Sequence, residues 1–311
     1  MNRRYLLKGL SLASLSALWA KPALAQRPRV SRLVIVGGAE DRLRDRLILR
    51  KFTEYCGGPM AKIRLITAAS GDPQGVWQSY QQAFNALGVH DVLPLDLYDR
   101  DSAQSPEVQA GILQADGLFI SGGDQSKLMA ILWGTLAYQS LHQAFHANGC
   151  CIGGTSAGAA VMSRHMIAQG PAVLRPSKEA VDTDMGLGLL SQAVIDQHFS
   201  ERRRLPRLLS TLAIRPDLLG VGIDEDTALV IEPGQGIEVM GQGSVTLVDP
   251  TQMRSNVDEI EALESIEMLG VQLHMLPAGH RYTLGSMAQD AKSAPLRRAI
   301  ERLVTVGPMR A

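Results

Sequence analysis

The sequence predicts an α/β fold: a mostly parallel sheet covered by helices on both faces, with a β-rich C-terminal extension. Three observations carry this. Short apolar runs with β-branched residues alternate with longer helical patterns through the first half of the chain. Several of those runs end in Gly-Gly or Ser-Gly, and in open α/β sheets the carboxyl ends of the strands hold the ligand crevice. After about residue 190, strand-like runs follow one another across short turns.

The elements follow in order. "MNRRYLLKG" is a charged start, "LSLASLSALWA" an apolar run too short to span a bilayer, and "ALA" at 23–25 a small-x-small cleavage site. Arg3-Arg4 followed by Tyr5-Leu6-Leu7-Lys8 resembles a twin-arginine signal. Residues 1–25 therefore read as an export signal, cut near Ala25. The mature chain would begin at Gln26, periplasmic or secreted, with no stable membrane anchor. Residues 26–311 read as one domain, since no long Pro-, Gly- and Ser-rich linker divides them.

Strands are expected at 32–38, 62–70, 91–97, 117–123 and 150–154, and helices at 41–55, 74–87, 106–115 and 125–148. Residues 164–190 form the long irregular stretch, suited to a lid or pocket loop. Beyond it come a strand at 193–199, a helix at 205–214, and strands at 219–224, 227–232, 236–241 and 244–249. The latter read as an extension of the same sheet, with hairpins at its edge. "APLRRAIERLV" would close the chain as a helix after an accessory strand pair.

Composition excludes some functions. The chain has 311 residues and a formal net charge of zero, but four basic residues and no acid lie in 1–25, so the remainder is net acidic. No basic surplus marks a nucleic-acid binder. The three cysteines, Cys56, Cys150 and Cys151, make neither a disulfide framework nor a zinc spacing. Cys150 and Cys151 read as small apolar strand residues.

The chemistry gathers at "GGTSAGA", residues 153–159. Gly154-Thr155-Ser156-Ala157-Gly158 fits G-x-S-x-G, a sharp strand-to-helix turn that holds a serine hydroxyl free at the top of a sheet. The amide of Ala157 would be one oxyanion donor. Glycine-rich packing or phosphate-binding turns share this look, but no Gly-Lys-Ser/Thr follows, so a P-loop is excluded. A serine needs a base, and the base an orienting acid. Of seven histidines, His198 alone ends a strand among polar and charged groups, in "DQHFSERRRLPR". "GIDEDTA" offers Asp224, Glu225 and Asp226, and strand alternation would send Glu225 to the face opposite both aspartates. The order serine, histidine, acid differs from the serine, acid, histidine of α/β-hydrolases.

Arg202, Arg203, Arg204 and Arg207 crowd beside His198. Guanidinium forks bind carboxylates bidentately, which suits a substrate rich in free carboxylates. Arg203 is expected to face solvent.

"IVGGAED", "LITAAS", "SGGDQ", "GGTSAGA", "DQHFSERRRLPRL" and "GVGIDEDTALVI", in that order over about 32–250, resemble the cyanophycinase family of serine peptidases, which includes an aspartyl dipeptidase branch. The resemblance implies a flavodoxin-like sheet related to class I glutamine amidotransferases. It implies Ser156 as nucleophile, His198 as base and Glu225 as orienting acid, with Gly123 as the second oxyanion amide beside Ala157. It implies a substrate-binding wall of Gln125, Asp196, Gln197, Arg202, Arg204 and Arg207. No metal or cofactor is needed, and a homodimer is expected. The substrate would be cyanophycin, a polyaspartate with arginine on each side-chain carboxyl, cut to β-Asp-Arg dipeptides, and Asp196 is one acid that could meet its guanidinium groups. Alternatives are an exported Asp-X or isoaspartyl dipeptidase, and a non-catalytic protein that binds acidic peptides.

Overall fold

The computed structural model of the chain describes residues 30–309, so the expected export signal lies outside the described residues. Its first half runs β1 (Leu33–Val36), α1 (Leu47–Cys56), β2 (Ile63–Ile66), α2 (Pro73–Ala86), β3 (Val92–Pro94), α3 (Pro106–Leu113), β4 (Gly117–Ile120), α4 (Gln125–Leu132), α5 (Leu136–His146), β5 (Cys151–Thr155) and the single turn α6 (Ala157–Ala160). Local chemistry sets the helix starts. Asp72, Ser105, Asp124 and Thr135 each cap a helix by accepting from backbone N–H groups in its first turn. Proline at the first helical position of α2 and α3 lacks an N–H that would have had no partner.

Two helices differ from expectation. The stretch 41–55 becomes helical only at Leu47. The Asp41 carboxylate accepts from the N–H groups of Leu43, Arg44 and Arg46 at 2.9 Å each and winds 41–46 into a compact loop. The stretch 125–148 splits into α4 and α5, because the Thr135 hydroxyl caps a second helix after the turn at Gly134.

The main sheet has the order β16-β11-β10-β1-β5-β4-β2-β3, its first three strands coming from the second half of the chain: β10 (Thr227–Glu232), β11 (Gly236–Gly241) and β16 (His280–Thr283). Strands β1, β5, β4, β2 and β3 are mutually parallel. Each face is covered. Leu33, Ile35, Ile66, Leu118, Ile120 and Ile152 pack under α3, α4 and α5. Val34, Val36, Ile63, Leu65 and Phe119 pack under α1 and α2, where Phe52 meets Phe119 edge-on at 5.3 Å. Burial on both faces is why these strands read as unbroken apolar runs.

The second half continues with β6 (His165–Gln169), β7 (Asp182–Met185), β8 (Ala193–Gln197), α7 (Leu205–Ile214), β9 (Leu219–Ile223), β10 (Thr227–Glu232), β11 (Gly236–Gly241), β12 (Ser244–Asp249), β13 (Arg254–Ser255), β14 (Met268–Leu269), β15 (Gln272–Pro277), β16 (His280–Thr283) and α8 (Ala294–Val304). Strands β6 and β7 pair as an antiparallel ribbon inside the stretch expected to be irregular.

The extension does not all join the main sheet. Strands β10, β11 and β16 extend it antiparallel beyond β1, whereas β15-β12-β9-β8 form a second sheet. The chain changes sheets at the turn between β9 and β10. Helix α8 buries Ala299, Ile300 and Leu303 in the same core cluster as Leu33 and Ile152. Leu303→Ala is therefore expected to cost about 2–5 kcal/mol of stability, seen as a lower urea midpoint.

Candidate active site

The carboxyl end of β1 is the meeting point. The carbonyl of Val36 accepts from the N–H of Ser156 at 3.0 Å, that of Gly37 from His198 at 2.7 Å, and that of Gly38 from Asp226 at 2.8 Å. Three consecutive carbonyls thus hold three segments distant in sequence. A Cβ at Gly38, where φ is +108°, would stand 2.2 Å from Cε1 of His198, so only glycine lets the ring lie there.

Ser156 sits between β5 and α6 with φ 53° and ψ −111°, a sparsely populated conformation for a non-glycine residue. The flanking glycines make the turn possible. A Cβ on Gly154 would be 2.4 Å from the Gly158 carbonyl, and one on Gly158 would be 2.2 Å from that of Ile120. The Ser156 Oγ lies 2.9 Å from His198 Nε2, and His198 Nδ1 lies 2.6 Å from Glu225 Oε1. A carboxylate only accepts, so this geometry calls for the proton on Nδ1, leaving Nε2 to accept from the serine.

Burial is the main cause that holds the His198 pKa below its ordinary value. The hydrogen bond to Glu225 opposes it, and the charges of Arg202 and Arg204 reinforce it. The ring is therefore neutral near neutral pH and able to take a proton.

The three acids are separated by a turn rather than by strand alternation. Strand β9 ends at Ile223, and Asp226 has φ 42°. Asp224 accepts from the N–H and hydroxyl of Ser200 (3.1 and 2.5 Å) and of Ser244 (2.9 Å each). Asp226 accepts from the Asp41 N–H at 2.9 Å. Glu225 alone meets the imidazole.

The other expected site residues divide. Gly122 and Gly123 follow β4; a Cβ on Gly122 would stand 3.2 Å from the Cβ of Ser156, and Gly123, exposed, lies against the carbonyl of Ala69. Among the described residues, no hydrogen bond leaves the amide of Gly123 or of Ala157. Gln125 donates its side-chain amide to the carbonyls of Ile167 (3.0 Å) and Ala168 (2.7 Å), tying α4 to β6 and leaving its oxygen to offer.

Asp196 is fully buried, which corrects the expectation that it meets a substrate guanidinium. It pairs with Arg207 through both carboxylate oxygens, and Arg204 adds a bond at 3.3 Å. A carboxylate this deep is held by the two cations that neutralise it. Arg207 is 4% exposed and also donates to the Gly170 carbonyl, so it too faces inward as part of the wall's frame rather than its surface. Burial pushes the Arg204 pKa down to about 10, and Arg204 also donates to the carbonyl of the buried Gln197 at 2.5 Å. Arg202 and Arg203 are exposed, and among the described residues no acid forms an ion pair with either.

Sequence reasoning missed four residues around this site. Glu201 accepts from the Glu225 N–H at 3.2 Å. Glu40, Thr155 and Tyr80 form a buried cluster behind the serine. Glu40 stands within the "IVGGAED" stretch, but nothing in its neighbours shows that its carboxylate turns inward. A cavity of 570 Å³ opens beside Asp226, lined in part by Glu40, Arg42 and Arg44. Among the described residues, no group of three or more His, Cys, Asp or Glu side chains could hold a metal ion.

An α/β sheet that presents a serine on a strained strand–helix turn, hydrogen-bonded to a histidine that a carboxylate in turn holds, defines a hydrolase of the serine type. The model of Peptidase family S51 matches residues 33–239, and the chain belongs to that family. It is 38% identical over 270 residues to a cyanophycinase of Trichormus variabilis, covering 86% of this chain and 91% of that one. It is 41% identical over 254 residues to a cyanophycinase of Synechococcus elongatus, covering 81% and 79%. Among solved structures, a peptidase from an acI-B1 Actinobacterium superposes with a TM-score of 0.60 at 25% identity, over 82% of this chain and 98% of that one.

Asp196→Asn would leave the Arg207 guanidinium buried without its carboxylate. The expected loss is about 3–5 kcal/mol of stability by urea unfolding. Full stability with only a raised KM would mean instead that Asp196 is free to meet substrate.

Proposed function

We propose that the chain is a cyanophycin-degrading serine peptidase that releases β-Asp-Arg dipeptides. The relatives named as cyanophycinases support the substrate. The observation that carries the chemistry is the hydrogen-bonded series from Ser156 through His198 to Glu225. In this reading His198 Nε2 takes the proton of Ser156 as the hydroxyl attacks a backbone carbonyl of the polymer. Glu225 holds the ring and stabilises the imidazolium. The amides of Gly123 and Ala157 receive the oxyanion. The leaving amine takes the proton back from His198, and water then hydrolyses the acyl-enzyme by the reverse route.

Arg202, exposed beside the base, is the guanidinium best placed to meet a free substrate carboxylate. Residues 1–25 would export the enzyme, where it would act on polymer released by other cells. The family resemblance favours a homodimer. Among the described residues, no helix is long and apolar enough to cross a membrane.

The first test is digestion of purified cyanophycin by the chain from Gln26 and by its Ser156→Ala form, with products read by mass. β-Asp-Arg from the wild type alone is expected, with about a 10⁶-fold loss on removing the nucleophile. Intact polymer beside rapid cleavage of a free Asp-X dipeptide would reject this substrate.

The second test is pH dependence. His198 must be neutral to act, and its pKa is lowered, so kcat/KM should fall with acid only below the ordinary histidine range. Arg202→Ala removes a charge that disfavours the imidazolium, so the acid limb should move to higher pH. An unmoved limb would show that the limb does not report His198.

A further inference from the structure

We propose that Glu40 is a positioning residue for the nucleophile, acting through the hydroxyl of Thr155. The inference rests on Ser156 being that nucleophile. Glu40 lies on the loop after β1 and is 4% exposed. One carboxylate oxygen accepts from the Thr155 hydroxyl at 2.5 Å, and the other accepts from the Tyr80 hydroxyl of α2. Arg42 stands 3.8 Å from the same carboxylate, with its guanidinium 5.0 Å from the centre of the Tyr80 ring. Burial and the facing carboxylate push the Tyr80 pKa well above its ordinary value, so this hydroxyl stays a donor.

A buried carboxylate is a costly way to fill space, since a leucine or methionine would pack there without a desolvation penalty. What the carboxylate adds is direction. Thr155 is the last residue of β5 and lies opposite Val36 in the parallel pair. The next residue, Ser156, must hold φ 53° and ψ −111°. Such a conformation persists only where its surroundings over-determine it. The backbone of Thr155 is held by β1, and its side chain by Glu40. Tyr80 in turn anchors Glu40 to the helix layer under the sheet. The run Tyr80–Glu40–Thr155 therefore braces the residue from which the turn departs. Neither Glu40 nor Thr155 touches the Ser156–His198–Glu225 hydrogen bonds, so their effect reaches the reaction through placement.

The test reads the rate at which Ser156 is modified by a phosphonofluoridate, per folded molecule, in Glu40→Ala, Thr155→Val, their double variant and Thr155→Ser. The reagent needs no cyanophycin, so a wrong substrate assignment leaves the result readable. Glu40→Ala and Thr155→Val should each slow labelling about a hundredfold, the scale of a small misplacement of reacting groups. The double variant should be no slower than either single one, because both remove the same bond. Thr155→Ser keeps the hydroxyl and should restore the rate. Where activity is measurable, kcat should fall with KM unchanged. Labelling of Thr155→Val at the wild-type rate would overturn the inference. So would a Glu40→Ala chain that melts lower yet labels normally, since Glu40 would then serve packing alone. A wild-type chain that resists the reagent would defeat the reading of Ser156 itself, and this inference with it.

Discussion

Three consecutive carbonyls at the end of β1 are the constraint on which the site depends. Val36, Gly37 and Gly38 accept from Ser156, His198 and Asp226 in turn. Each bond contributes only about 1 kcal/mol net. Their value is geometric: one short stretch of backbone places the serine, the histidine and the residue after the glutamate. Strand β1 can serve this way because it is buried between β5 and β10, the seam where the parallel sheet meets its antiparallel extension. The two glycines that follow it have no Cβ to fend off the incoming segments. At Gly37 a Cβ would meet the Asp224 carbonyl at 2.0 Å.

The same three anchored residues all have positive φ: 53° at Ser156, 49° at His198 and 42° at Asp226. Each such conformation costs on the order of 1–3 kcal/mol in a non-glycine residue. Strain at three points of one site is sustainable only against a rigid frame. The doubly covered sheet supplies it, with Phe52, Phe84 and Phe119 interlocked on one face and α3, α5 and α8 on the other. The fold thus stabilises by burial what the site gives up in backbone energy.

How far the sequence could be read follows from which interactions are local. The parallel strands and their helices were legible because burial on both faces and caps such as Asp72 and Thr135 leave marks within a few residues. The Ser156 turn was legible because G-x-S-x-G is itself the steric condition for the turn. Partition of the later strands was not, since β9 and β10 carry the same apolar pattern and only their partners differ. Alternation singled out Glu225 among its neighbours, yet the acids stand in a turn, and hydrogen bonds from Ser200, Ser244 and Asp41 do the sorting. The inward turn of Asp196 and Glu40 was invisible, because each is decided by partners far along the chain or on another element.

Charge around His198 shows how these placements combine. Asp196 draws two arginines of the cluster into the protein, where they brace β8 against α7. Arg202 is left exposed, and its charge together with burial disfavours the imidazolium. Glu225 works in the other direction, through a hydrogen bond that strengthens once the ring is charged. The resting ring is thus neutral, while the group that favours its charged form is already aligned. In the proposed reaction that combination is what a general base requires: weak hold on a proton before the attack, and a partner in place when the proton arrives.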